Sequence, residues 1–496
     1  MIRFIQKNPI YLFLLPVFFV LHGFVENFGF IDLKEAVILL VSYLFLTLSI
    51  ATFSWFFFRN WNRASLITVF WMSFFFFFGA LHEFLKEHSP IRFVARYSFL
   101  LAAALFILFF LFIFFKKSNK PFQRFSIYLN TLFLIYICID LGTAFWKGSH
   151  KNEKLLSVYD FARQNKYTIC DTCKKPDIYF LLFDEYGASR SLKELYNYNN
   201  SLDSFLSARK FRVLPNSRSN YNFTPFSMSS VLNMSFIEGI ENTQSISAED
   251  YANCNLLVRD NEVIKILDAH GYEIVNHSVF DLAGNPSMVD QSFLPLKTKL
   301  ISDRTLFAHM NKDIGWLLIT RFPFNLFRRN HFMKHKENNE KFYTGLIEHS
   351  KTKKTKPQFV YSHFYMPHAP YFFDKNGVLK DEATIYTEFK TNPPAAYLEY
   401  VTYTNSTVQK LVTTIQENKP GAVIVLLSDH GFRDKNVKKK EFFFQNMNAV
   451  YFPDRDYSTL YDSISNVNEF RIILNKLLHQ SFPLLKDSSI FLVDKK

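Results

Sequence analysis

The chain has 496 residues, too many for one ordinary domain, and a formal charge of +13 at pH 7. Phe, Leu and Ile dominate the first 150 residues while the rest is mixed, so the mean hydropathy near zero describes neither part. The positive surplus belongs partly to loops between apolar segments, and an exported domain on membrane helices excludes nucleic acid as its partner.

Five apolar stretches lie at about 9–25, 36–58, 64–82, 98–115 and 126–146. Roughly 18 or more apolar residues in a row suffice to cross a bilayer as a helix. No small-residue cleavage site follows the first, so it reads as a retained span rather than a signal peptide. Arg3 and Lys7 precede the first span, Arg59 and Arg63 follow the second, and Lys116, Lys117, Lys120 and Arg124 follow the fourth. The alternate loops carry Lys34 beside Glu35, and Lys86, Arg92 and Arg96 with Glu83 and Glu87. Cationic loops stay cytoplasmic. This predicts a membrane region over 1–146 with five helices in the inner (plasma) membrane, a cytoplasmic amino terminus, and everything after Trp146 outside. Asp140, inside the fifth span, is an intramembrane carboxylate that marks a head-group path or sits exposed at the interface.

A polar linker over 147–175 leads to an outer domain over 176–496. Cys138, in the fifth span, reads as a packing residue. Cys170, Cys173 and Cys254 lie outside, where disulfides persist, and either a local Cys170–Cys173 bridge or a bridge to Cys254 is open to them. Strands are expected at Asp177 to Phe183, Phe211 to Leu214, Tyr272 to Asn276, Phe359 to Phe364, Ala422 to Leu427 and Ala449 to Phe452. Helices are expected at Leu202 to Ala208, Glu262 to Ala269 and Tyr397 to Glu417. The alternation predicts an α/β domain with a largely parallel central sheet. The aromatic and basic stretch Arg321 to Lys341 fits a bilayer surface or a solvated helix equally well.

Three places carry chemistry. Asp184 ends the first outer strand, and Ser428-Asp429-His430-Gly431 follows the strand Ala422 to Leu427. In open α/β sheets ligands bind at that carboxyl edge, and a carboxylate beside an imidazole suits a divalent metal. Between them, Thr224-Pro225 opens a helix; its hydroxyl caps that helix or, bound to a metal, serves as a nucleophile.

Together with the segment Ser362 to Tyr371, which holds His363, Pro367, His368 and Pro370, these motifs resemble the alkaline phosphatase superfamily in its sulfatase-like branch. The resemblance covers about residues 176 to 455. Sulfatases carry a Cys or Ser in Cys-x-Pro-x-Arg, modified to formylglycine, where this chain has Thr224 and Met228. Two-metal members need a His soon after Asp-His-Gly, whereas none follows His430 before His479. What remains is similar to membrane phosphoethanolamine transferases and lipoteichoic acid synthases. The resemblance implies one divalent metal, Zn or Mn, held by Asp184, Thr224, Asp429 and His430, with Glu185 as the alternative to Asp184. It implies Thr224 as nucleophile, and His363 or His368, with His368 preferred, as the group that binds phosphoryl oxygens or protonates the leaving oxygen. The expected function is transfer of a phospho-head-group from a membrane phospholipid donor to a lipid or glycan acceptor at the bilayer. A hydrolase of an exported phosphate or sulfate ester is the alternative, and a silent binding domain the third reading.

Overall fold

The computed structural model describes residues 8–118, 120–149, 157–158, 167–240, 242–289, 291, 297–313 and 325–494. Arg3, Lys7, most of the expected linker and residues 321–324 of the aromatic and basic stretch lie outside these, as do that stretch's side chains through Phe332. The chain forms two compact units: Met1–Glu153 with Leu294–Pro323, and Lys154–Phe293 with Phe324–Lys496. The expected outer domain, unbroken over 176–496, did not include the return of Leu294–Pro323 to the first unit.

The first unit is helical: α1 (Tyr11–Glu26), α2 (Leu33–Phe58), α3 (Trp61–His88), α4 (Tyr97–Lys117) and α5 (Gln123–Ser149). By length and composition α2 to α5 are long and apolar enough to cross a membrane. At 16 residues α1 is shorter, about 24 Å against a hydrocarbon core of about 30 Å. Its first turn is completed by a neighbour: buried Asn130 of α5 accepts from Tyr11 N–H (2.6 Å) and donates to Asn8 O (2.9 Å). A helix start away from water needs such a partner. Cys138 is exposed on α5, so it does not pack inside the helices as expected.

Two mid-helix glycines seat the returning segment, which contains the short helices Lys299–Ser302 and Leu306–Asp313. A Cβ on Gly23 would meet the Ile301 side chain at 2.9 Å. One on Gly79 would meet His309 Nε2 at 2.6 Å and Arg304 O at 2.7 Å. The missing side chains let the segment approach, and Gly79 N–H donates to Arg304 O at 2.9 Å.

The main sheet of the second unit has six strands among the described residues: β1 (Ile178–Phe183), β2 (Arg212–Val213), β3 (Glu273–His277), β4 (Gln358–Phe364), β5 (Val423–Leu427) and β6 (Asn448–Tyr451), in the order β2-β6-β5-β1-β4-β3. The run β5-β1-β4-β3 is parallel; β6 and β2 add antiparallel strands at one edge. Every residue of β1, β4 and β5 is buried, as central parallel strands covered on both faces require. Alternation shows what covers each face. Phe180 and Phe359 pack on Phe470 of the helix Glu469–Leu478, whereas Phe364, on the opposite face, packs on Phe342 of the helix Asn325–Lys351. The expected helices Leu202–Ala208 and Glu262–Ala269 are present with those bounds, and the third runs over Pro394–Asn418. Cys170 is bridged to Cys173, and Cys254 is buried beside Tyr221 and Phe226.

Candidate metal centre

Register brings the two acidic motifs together. In the parallel pair β1/β5, Leu182 lies opposite Leu427, so Asp184 and Asp429 each stand two residues beyond the last pair. They therefore meet at the carboxyl edge of the sheet, the edge where such folds bind ligands. Asp184 N–H donates to Phe364 O of β4 at 3.0 Å, which anchors the turn on its other side.

The side chains of Asp184, Asp429 and His430 are buried, with one ligand atom from each lying within 4.8 Å of the others. His430 Nε2 is 3.2 Å from Asp429 Oδ2 and 4.0 Å from Asp184 Oδ1. Among the described residues none of the three atoms has a hydrogen-bond partner. His430 Nδ1 faces Gly431 O at 2.9 Å, and burial holds the imidazole well below its ordinary pKa. The ring is then neutral, with its proton on Nδ1 and a lone pair on Nε2 aimed at two carboxylates. Burial, and then the charge of Asp429, push the Asp184 carboxyl well above its usual range. Three convergent, desolvated lone pairs repel one another unless a cation lies among them. The residues present fit a divalent metal.

Neighbouring groups hold this arrangement in place. Glu185 N–H donates to Asp429 Oδ1 (2.9 Å), Tyr186 N–H to Ser428 Oγ (2.8 Å), and Ser227 Oγ to Asp429 O (2.6 Å). Gly431 is required by close approach: a Cβ there would lie 2.4 Å from Phe442 O and 2.5 Å from Gln445 O.

Glu185 points elsewhere than Asp184. Its backbone adopts a φ of 61°, a left-handed conformation uncommon outside glycine, and its carboxylate accepts from the Arg433 backbone N–H (3.0 Å) and Nε (3.1 Å). Burial alone would raise its pKa; Arg433 and then His368 outweigh this and lower it. Arg433 extends further, with Nη1 donating to Asn222 O (3.3 Å), Nη2 3.2 Å from His368 Nε2, and the guanidinium over the Phe223 ring. His368 Nδ1 faces Ala369 O at 2.5 Å, which leaves Nε2 as the acceptor toward Arg433. His363 is fully buried, with Nε2 3.8 Å from Asp184 Oδ2 and Nδ1 2.9 Å from the Tyr361 hydroxyl; burial lowers its pKa to about 4.

Thr224 begins α6 (Thr224–Asn233) as its first residue, not as its cap: Phe223 is the cap position and no side chain caps the helix. The bonds of Asn222 to Arg433 and of Ser227 to Asp429 tie this helix start to the same loop as His430. Sequence reasoning missed Arg433. Its signal was slight, a cation three residues past His430 in a segment without periodicity.

Comparison with known proteins bears on identity. The sulfatase family model matches residues 195–470, more than half of the chain. No curated protein matches. Among solved structures, the C-terminal periplasmic domain of EcEptC from Escherichia coli is similar at 14% identity over 66% of this chain and 89% of that one, with a TM-score of 0.37. The periplasmic domain of phosphoethanolamine transferase EptC from Campylobacter jejuni gives 12%, 61%, 90% and 0.35. Phosphonate monoester hydrolase SpPMH from Silicibacter pomeroyi gives 13%, 63%, 75% and 0.40. At these TM-scores the structural likenesses carry no argument, and the assignment rests on the family match. The chain belongs to the sulfatase family, within the alkaline phosphatase superfamily, and so is an enzyme.

Proposed function

We propose that this protein is a membrane-bound, metal-dependent transferase that moves a phospho-head-group, of phosphoethanolamine or phosphoglycerol type, from a phospholipid to a lipid or surface glycan. The supporting observation is the convergence of the unpartnered Asp184 Oδ1, Asp429 Oδ2 and His430 Nε2, tied to the helix that begins with an uncapping Thr224. A Zn or Mn ion held by Asp184, Asp429, His430 and Thr224 would lower the pKa of the hydroxyl bound to it and offset charge on phosphoryl oxygens.

The chain's own groups divide the remaining work. Thr224 Oγ1 forms a bond to phosphorus while the bond from phosphorus to the diacylglycerol oxygen breaks; the threonine proton ends on that oxygen. In the second step an acceptor hydroxyl attacks the phospho-threonine, the Thr224 oxygen leaves, and it recovers a proton as the acceptor loses one. Arg433 is held by Glu185, Asn222 O and His368 and is partly exposed, so the second N–H of each of Nη1 and Nη2 can meet anionic phosphoryl oxygens. His368 Nε2, an acceptor here, is suited to take the acceptor's proton. Fully buried His363, with Nε2 3.8 Å from Asp184 Oδ2, packs beside that carboxylate.

The apolar helices favour a lipid donor over a soluble ester, since hydrolysis of soluble esters has no need of them. Lys116, Lys117, Lys120 and Arg124 ahead of α5 favour a cytoplasmic side there, which directs the second unit outward whether or not α1 crosses. The test incubates the full chain with Mn²⁺ or Zn²⁺ and head-group-labelled phospholipid. Diacylglycerol release with label trapped on Thr224, and neither in Thr224→Ala, is expected. No release, with wild type and Thr224→Ala alike, sinks the proposal; head-group release without an acceptor favours the hydrolase.

A further inference from the structure

A second carboxylate–histidine group lies in the helical unit, apart from the metal centre. Asp140 of α5 is 6% exposed, not at an open interface. Its Oδ1 is 3.1 Å from His22 Nδ1 on α1, while its Oδ2 is buried with no hydrogen-bond partner among the described residues. The other edge of the His22 ring, Nε2, lies 3.3 Å from Glu26 Oε1. Glu26 Oε2 in turn lies 3.1 Å from Arg304 Nη1, carried in by the returning segment that Gly23 and Gly79 admit. Lys147 Nζ donates to Val25 O at 2.8 Å, beside Glu26, with donors to spare.

The order along this line is carboxylate, imidazole, carboxylate, guanidinium, with an ammonium alongside. A carboxylate oxygen buried in a membrane helix without a donor is costly, so Asp140 Oδ2 calls for a cationic partner. A metal fits poorly. The two carboxylates occupy opposite nitrogens of His22, so they do not converge with a ring nitrogen on one point as Asp184, Asp429 and His430 do. An alkylammonium carries three donors and serves dispersed carboxylates, while Arg304 and Lys147 suit a phosphate. We propose that this cluster, Asp140, Glu26, Arg304 and Lys147 around His22, binds the zwitterionic head group of an ammonium-bearing phospholipid, with the ammonium on the carboxylates of Asp140 and Glu26 and the phosphate on Arg304 and Lys147. Binding stands on these residues alone; that the bound lipid is the donor rests on the transferase reading.

The test measures lipid binding to the full chain in detergent with excess chelator, which silences the metal centre. The probes are phosphatidylethanolamine and phosphatidylglycerol. Wild type is expected to prefer the ethanolamine lipid by roughly tenfold, and Asp140→Asn and Glu26→Gln each to remove that preference. Glu26 is half-exposed, so its variant carries the test if Asp140→Asn does not fold. Equal binding of the two lipids by wild type, or a preference kept in the folded variants, overturns the site. If label is trapped on Thr224 without an ethanolamine preference, the site falls and the transferase stands. A preference without label on Thr224 leaves the site and removes the transferase.

Discussion

Two groups of carboxylate and histidine in this chain are built to opposite plans. In the second unit, Asp184, Asp429 and His430 turn three lone pairs toward one point. In the helical unit, Asp140, His22, Glu26 and Arg304 follow one another as carboxylate, imidazole, carboxylate and guanidinium. Residue types barely differ; geometry does. Convergence leaves a charge deficit at one point that a small divalent ion fills, whereas this succession spreads smaller demands that a larger zwitterion meets. Glu469 gives a third arrangement, a fully buried carboxylate with one oxygen on Asn448 Nδ2 (2.8 Å) and no ion pair among the described residues, whose pKa burial raises to about 7.

The contrast makes its strongest prediction at the point of convergence. Chelation, or Asp429→Asn, should take head-group transfer to background, with Zn²⁺ or Mn²⁺ restoring the chelated wild type and not the variant. Next, Arg433→Ala should lower kcat/KM by about 10²–10³-fold, the range for losing a fixed donor to a developing oxyanion, with metal content unchanged. Full retention of activity would remove Arg433 from the site. Gly431→Ala forces a Cβ into two backbone carbonyls and should cost about 1–3 kcal/mol, read as a lowered unfolding temperature together with weaker metal retention. A further effect, comparable at most, depends on pH. Glu469 has a raised folded pKa, so its protonated form favours the native state below about pH 4.5, and that contribution is lost as pH rises through about 7. Glu469→Gln should therefore stabilise the native state at pH 8 by on the order of 3 kcal/mol at most, read as a raised unfolding temperature, and leave it unchanged at pH 4. The same gain at both pH values would contradict the buried-carboxylate account.

Central strands were legible because a parallel strand buried on both faces is a bounded apolar run, as at Ile178–Phe183 and Val423–Leu427. That legibility extended to Asp184 and Asp429-His430, since carboxyl ends of neighbouring parallel strands share one edge. What stayed hidden depends on contacts far apart in the chain. Arg433 gains its meaning from Glu185, Asn222 and His368, which arrive from three other segments. Burial of Asp140 needed His22, 118 residues away. The return of Leu294–Pro323 was signalled only by glycines in two distant helices. Thr224 looked like a cap because Thr before Pro is a common cap, yet the helix starts one residue earlier than that reading requires.

Whether the three buried lone pairs of the proposed centre close on one cation is read from the metal content of the purified full chain, measured after saturation with Zn²⁺ or Mn²⁺ and removal of loose ions. One ion per chain in wild type and none in Asp184→Asn or Asp429→Asn is the predicted result. A metal-free wild type, or variants that retain the ion, would contradict it.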